Sequence, residues 1–481
     1  MKRGKLVAII VSGVLLLATP ITLVSVGFGA PSVFQDTYYG ELSEMFFKLK
    51  HTSGKKVVFV GNSAVAFGIN SDLVGSELVG YKVVNLGLYG AIGTRTMIDL
   101  SKANINEGDI VVVCPEPYKQ TSSLYFSAKE MWRAADSDFS MLQMLPYEQN
   151  GYMVGAFPGY VAEKIQYSSS EEKPMNTGVY SRSAFKRENG QYADYVVADR
   201  PYNMMGGGYD GTNLPLLSKD VFGEGFLDYL NDYASFVKDR KASLYFGFCP
   251  LNSLSLGDNK AKDADDFYDY LDEKLNFPLL GHPAKYFFDY RFFYDNNVHM
   301  NSAGMSHYTS ALVEDLKLEL GLPTKNSIPL AEPPEIPADT HEDGDNSDLD
   351  KFELEIIDGE VERYARIKSL SEAGKAASIL TLPSTYEGVP VREFDATVFQ
   401  NNKTVSRIVL PSNIHSIYDR SFYGATRLSE LYFRHDSILG MSVGVNFLEG
   451  ADNCYIYIKK NVSVADCAGG WERYESRIRY Y

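Results

Sequence analysis

A serine directly after an apolar strand, and a histidine preceded by a carboxylate just before a long helix, are the groups that acyl transfer needs. This chain of 481 residues carries them in that order. The run Lys56-Val-Val-Phe-Val60 leads into Gly61-Asn62-Ser63, which puts the Ser63 hydroxyl at the carboxyl end of a strand, where α/β sheets open their ligand crevices. A hydroxyl becomes a nucleophile only when a base takes its proton. The candidate base is His299 in Phe293-Tyr-Asp-Asn-Asn-Val-His-Met-Asn301, with Asp295 and Asn296 shortly before it. Asp295 would stabilise an imidazolium if the turn is long enough for it to reach the ring, whereas Asn296 could only orient it. Asn85-Leu-Gly87-Leu-Tyr-Gly90 closes a second strand, and its glycines let backbone N–H groups approach a developing oxyanion. A third strand ends in Cys114-Pro115-Glu116-Pro117. An ionised Glu116 would repel that oxyanion; a protonated one could donate to it, or the side chain could hold a sugar hydroxyl or a cation.

Positioning these groups requires a layered scaffold, and the pattern supplies one. Lys56–Val60, Lys82–Leu86, Asp109–Val113, Ser243–Gly247 and Lys285–Phe288 read as buried strands, and Ser71–Leu78, Gly93–Ala103, Gly225–Arg240 and Asn301–Leu320 as helices between them. Strands alternating with helices make an α/β doubly wound parallel sheet. About Tyr118 to Lys219 breaks the alternation and reads as a large insertion, rich in Tyr, Met, Ser and Gly, of the kind that shapes a binding cleft.

The order Gly-Asn-Ser after the first strand, Asn-x-Gly-x-x-Gly after the second, and an Asp-containing turn ending in His before the last helix resembles the SGNH (GDSL-like) hydrolase superfamily over about Lys55 to Leu320. More narrowly, it resembles the membrane-tethered branch related to O-acyltransferases and esterases of envelope polysaccharides. The resemblance implies Ser63 as nucleophile, His299 as base, Asp295 as its carboxylate, and the Ser63 and Gly90 amides as oxyanion donors. Asn62, Asn85, Glu116 and Asn296 would then line the pocket. The chain departs from the superfamily at Glu116, where an Asn is usual, and at the spacing of Asp295 from His299. These departures carry the alternative reading, a catalytically degenerate fold serving as an adhesion or protein-binding scaffold.

Residues 1–5 carry Lys2, Arg3 and Lys5, and the 23 residues from Leu6 to Phe28 carry no charge. At about 1.5 Å per residue that run reaches roughly 34 Å, enough to cross a hydrocarbon core of about 30 Å. The expectation is a signal anchor at 6–28 with a cytoplasmic N-terminus and the bulk outside, followed by a juxtamembrane segment 29–54 and the hydrolase-like domain 55–322. A cleaved signal peptide competes, with Gly27-Phe-Gly-Ala30 as its cleavage site. Residues 323–350 hold five prolines, eight acidic residues and one lysine, and read as an extended linker. They contribute much of the net charge of −16, which argues against nucleic acid and against electrostatic docking on an anionic membrane.

Beyond the linker, 351–481 repeats itself: Leu382-Pro-Ser384 recurs as Leu410-Pro-Ser412, and Phe399, Phe422 and Phe447 mark a period in the twenties. Ile379–Val391 and Arg407–Ile417 resemble the BspA-like leucine-rich repeats. The resemblance implies a small solenoid with a protein partner or a capping role. No spacing of Cys, His or carboxylate suggests a metal site, and no cofactor is expected. Cys114, Cys249, Cys454 and Cys467 read as buried thiols, Arg182, Arg187 and Arg200 as solvated, His282 as a loop residue, and His307 and Tyr308 as packing positions. Trp132 and the tyrosines of the insertion could stack on sugar rings or serve packing. The resemblance to envelope O-acyltransferases and esterases implies an acyl group, acetyl first, on a cell-envelope glycan as substrate, together with its acyl donor.

Overall fold

The five-residue apolar runs that open the chain's first half are buried on both faces, which only a parallel sheet covered on both sides provides. In the computed structural model, which describes residues 18–170, 172–205, 208–257, 259–335, 346–359, 363–438, 441–460, 462–464 and 470–481, β1 (Lys56–Gly61), β2 (Lys82–Gly87), β3 (Ile110–Cys114), β4 (Ser243–Gly247) and β6 (Leu279–Leu280) form that sheet. Its order is β2-β1-β3-β4-β6 and every neighbouring pair is parallel. The order reverses between β1 and β3, and such a switch point is where an open α/β sheet leaves a crevice.

The fifth strand differs from the expectation. Leu279–Leu280 is buried and joins the sheet, whereas Phe287–Phe288 (β7) is only half-buried and pairs with Leu251–Asn252 (β5) in a separate two-stranded sheet. Pro283, in the 3-10 turn Pro283–Tyr286, separates the two segments. The helix Lys260–Lys274 escaped the reading of periodicity because its charges hide the short stripe Ala264, Phe267 and Leu271 that it buries.

Two flanking segments belong to the folded body. In α1 (Gly40–His51), Leu42, Met45, Phe46 and Leu49 are buried on one face, so residues 29–54 are not a spacer. Residues 323–331 are likewise stitched down: Asn326 Nδ2 donates to Ser310, Ser327 N donates to Glu77, and His307 Nε2 meets the Ala331 carbonyl. Asn346 and Asp348, at the far end of the expected linker, accept from the Ser384 and Thr381 amides. Most of the acidic stretch between lies outside the described residues, as do the expected cytoplasmic N-terminus 1–5 and residues 6–17 of the expected anchor. No helix among the described residues is long and apolar enough to cross a membrane.

The chain divides into two compact units, residues 1–203 with 214–334 and residues 204–213 with 335–481. In the second, a hairpin of β8 (Phe352–Asp358) and β9 (Arg363–Leu370) leads into short parallel strands stacked rung on rung. One stack runs β10 (Ile379–Thr381), β13 (Arg407–Leu410), β15 (Glu430–Phe433), β17 (Tyr455–Ile458) and β18 (Ile478–Tyr480), five rungs where the sequence showed roughly three repeats. Ser406 Oγ donates to the Ser378 carbonyl and Ser429 Oγ to the Ser406 carbonyl, a ladder with steps of 28 and 23 residues. Inside the coil Phe399 stacks on Phe422 with centroids 5.4 Å apart, and Phe422 meets Phe447 edge-on at 6.3 Å. The period of phenylalanines is therefore a continuous aromatic core.

Two buried charges set up measurable expectations. Lys56 Nζ at the start of β1 donates to Asp109 Oδ2 at 2.5 Å with both side chains fully buried, and Asp109 also accepts from the Lys56 and Asn106 amides. Removing one partner leaves an uncompensated buried charge, so Asp109→Ala should cost about 3–5 kcal/mol in urea unfolding. On α1, burial raises the Glu41 carboxyl to about 8 against the opposing Arg182, whose Nε stands 3.3 Å away. The folded state therefore holds a proton that the unfolded chain releases near its ordinary value. The stabilisation is complete below about pH 4.5 and is lost as pH rises through about 8. The unfolding midpoint should fall across that window, and less so in Glu41→Gln.

Candidate active site

Ser63 is the first residue of α2 (Ser63–Gly68), which begins as β1 ends. The first amides of a helix need acceptors, and Asn62, the residue before it, does not cap them. Asn62 instead accepts from Thr94 Oγ1 at 2.5 Å and leaves its buried Nδ2 without a partner. The cap comes from the loop that follows β3, across the switch point: Glu116 Oε1 accepts from Ala64 N at 2.9 Å and from Ser63 Oγ at 3.0 Å. Glu116 is itself fixed, since its carbonyl accepts from the Thr121 and Ser122 hydroxyls, both at 2.9 Å. Gly90 backs onto the same group, because a Cβ there would stand 3.6 Å from Glu116 Oε2.

The second half of the site is the turn before α9 (Ser302–Glu319). Asn301 caps α9 through Gly304 N, and its amide donates to the Phe293 carbonyl, closing the loop that presents His299. Asn296 Oδ1 accepts from the Val298 and His299 amides and shapes the turn, which frees Asp295 to meet His299 Nδ1 at 2.7 Å. The carboxylate four residues away, and not the closer Asn296, is thus the imidazole's partner. Tyr180 from the insertion donates to the other Asp295 oxygen at 2.7 Å. Burial works against the Asp295 charge, but His299 and Tyr180 outweigh it and hold the carboxyl below its ordinary value. Burial, then the charge of Asp295, push the Tyr180 phenol far above its own, which keeps it a donor.

The two halves meet through Phe67. It lies one helical turn after Ser63 on α2, and the His299 ring stacks on it with centroids 4.1 Å apart and planes 11° apart. His299 is buried and its Nε2 has no hydrogen-bond partner. Ser63 directs its proton to Glu116 and not to His299, so the expected serine–histidine hydrogen bond is not formed. Tyr38 closes the floor: it donates to the Leu88 carbonyl at 2.8 Å and packs edge-on against Tyr180 at 5.6 Å. Burial, then the charges of Glu116 and Asp295, raise its phenol well above the ordinary range.

Several expected residues stand elsewhere. Asn85 is fully buried and spends its amide on the Val65 and Ile69 carbonyls, clamping α2 to β2, so it supports the site and does not line it. Arg200 is buried, donating to the Met300, Val196 and Ala198 carbonyls beneath His299. Burial outweighs the nearby charges and lowers its guanidinium to about 10. Arg182 and Arg187 pair with Glu44 and Asp72. Cys114, Cys249 and Cys454 are buried thiols, and Cys467 lies outside the described residues. Among the described residues no cluster of ligands could hold a metal. Phe67, Tyr180 and Tyr38 were missed. Phe67 was legible once Ser63 is taken as a helix start, but nothing in the spacing of the tyrosines singles out two of them.

No protein-family model matches this chain, and no curated protein does. Among solved structures, the crystal structure of protein YXIM from Bacillus subtilis is matched with a TM-score of 0.27 and 10% sequence identity, covering 56% of this chain and 57% of that one. The chain thus spans less than two thirds of that protein's length.

Capping by Glu116 makes a prediction independent of any activity. Glu116→Ala removes the acceptor of two buried donors and should destabilise by about 1–3 kcal/mol in chemical unfolding. Glu116→Gln retains an acceptor oxygen and should lose less than half of that.

Proposed function

We propose that this chain is an extracytoplasmic, membrane-anchored serine esterase or O-acyltransferase of the SGNH type, acting on acyl groups, acetyl first, of a cell-envelope glycan. The observation that carries this reading is the state of His299. Its Nδ1 is held by Asp295, its ring is fixed over Phe67 one turn from Ser63, and its Nε2 is left without a partner. A base oriented in this way accepts a proton at Nε2 while the carboxylate steadies the cation. Ser63 Oγ attacks the ester carbonyl as it turns from Glu116 toward Nε2, and the Ser63 and Gly90 amides receive the oxyanion. His299 then returns the proton to the departing alcohol, leaving an acyl-serine. Water or a second hydroxyl takes the acyl group by the reverse sequence. The all-parallel sheet with Ser63 and Glu116 at its switch point supports the superfamily reading. The stacked rungs and phenylalanine ladder support a BspA-like leucine-rich solenoid as a protein-binding module.

A second reading, a non-catalytic scaffold built on the same fold, is favoured by one observation. Glu116 occupies both the Ser63 hydroxyl, which would have to attack, and the Ala64 amide beside it. Fluorophosphonate labelling of the detergent-solubilised full chain separates the two. The enzyme reading expects covalent labelling at Ser63 and release of p-nitrophenol from p-nitrophenyl acetate. Activity should fall about 10³-fold or more in Ser63→Ala and His299→Ala, and be strongly reduced in Asp295→Asn. A folded protein whose Ser63 stays unlabelled while a control esterase reacts would support the scaffold.

A further inference from the structure

The helix α6 (Asn150–Tyr167), within the insertion, presents an outward face of an unusual kind. Its two charged residues turn inward: Glu163 accepts from Arg133 Nε at 2.8 Å, and Lys164, buried, pairs with Asp136 at 2.9 Å. Apart from Glu163, which stays partly exposed at one edge beside the exposed Lys129, and Glu148 just before the helix, what remains outside is uncharged. Tyr152 is 69% exposed, Val154 73% and Ile165 58%, with Tyr147 just before the helix at 89%. An exported helix that faces water ordinarily carries its charges on that side.

The neighbour of this helix is the end of the uncharged N-terminal run. Residues 18–29 are helical, and Ile21 and Val24 on them are exposed. The run ends against α6: the Gly27 carbonyl accepts from Lys164 Nζ and Tyr160 OH, and Phe28 stacks on Phe157 at 5.3 Å. Asp136 locks the exit, accepting from Ser32 Oγ, Val33 N and Phe34 N as well as from Lys164. The junction is therefore a built joint between the run and α6, with a buried charge pair at its centre.

We propose that α6 is a membrane-interface helix, its outward side, bounded by Tyr152 on one edge and by Val154 and Ile165 on the other, seated in the headgroup and acyl boundary of the bilayer that residues 6–28 enter. This rests on the reading of that run as the anchor. Val161, which borders Gly27, shares a stripe of the helix with Val154 and Ile165, so the exposed apolar edge of α6 adjoins the run, and this commits the occupant to lipid. Exposed tyrosines suit such a boundary because the ring is apolar and the hydroxyl stays wet. The contact is apolar and not Coulombic, so it is compatible with a net charge of −16. Gly151, Gly155 and Gly159 also lie outward with open space where a Cβ would stand, which leaves a second helix as the rival occupant.

The test uses the full chain reconstituted in phosphatidylcholine vesicles with or without brominated acyl chains. Tryptophan is introduced as Tyr152→Trp, as Ile165→Trp, and as Val79→Trp on a distant exposed turn. The added emission at positions 152 and 165 should fall at least about twofold in brominated vesicles, and that at 79 should not change; neither salt nor anionic lipid should alter this. Protein that stays with the vesicles through an alkaline carbonate wash while both tryptophans remain unquenched would overturn the proposal and leave the anchor standing. Protein washed off would overturn the anchor and the proposal together. Quenching that disappears as the protein-to-lipid ratio rises would assign the face to a second copy of the chain and overturn the lipid contact.

Discussion

The carboxylate of Glu116 ties the two strands on either side of the sheet's reversal point. A strand that runs straight into a helix leaves the first helical amides exposed at the base of a crevice, and burial makes unsatisfied donors there costly. Glu116 meets that requirement from the loop after β3 by taking the Ala64 amide and the Ser63 hydroxyl on one oxygen. Because its own carbonyl is held by Thr121 and Ser122, the start of the insertion is anchored at the same point. The geometry of Ser63 is thus decided less by α2 than by the loop that leaves the strand next door.

On the opposite wall the buried polar groups form a separate chain of hydrogen bonds, Tyr180 to Asp295 to His299, ending at a nitrogen with no partner. A buried chain of this kind is stable when each member but the last is satisfied, and the last is where chemistry or a ligand enters. Phe67 keeps the two walls in register. It belongs to the serine's helix, carries the imidazole on its face, and has the Arg200 guanidinium on it at 5.3 Å. The insertion contributes to both walls: Asp194 accepts from the Asn85 amide on β2 and from Lys48 on α1, while Tyr180 and Arg200 support the histidine turn. It is part of the site's framework and not an appendage to it.

The joint around Asp136 repeats the logic at the N-terminal edge, where one buried carboxylate gathers two backbone amides, a serine hydroxyl and a lysine. Burial would raise its carboxyl, but hydrogen bonds from Tyr160, Lys164, the Phe34 amide and Ser32 outweigh it and hold the group below the ordinary value. The chain therefore leaves the N-terminal helical stretch at a fixed point on α6.

By itself the sequence determined the elements whose signal is local. Lys56–Val60 and Ile110–Val113 are apolar enough to be buried strands wherever they sit, and Phe399, Phe422 and Phe447 recur because each rung must refill the same hollow. It also placed Ser63 after the first strand and His299 before the last helix, while leaving open whether Asp295 or Asn296 meets the imidazole. Only the tertiary structure decided which strand lies beside which, and with it the encounter of Ser63 with Glu116 across 53 residues and of Tyr180 with Asp295 across 115. The burial of Arg200 was hidden for the same reason. The free energy of a buried polar group depends on partners that folding brings from far along the chain, and no property of the residue or its neighbours records them.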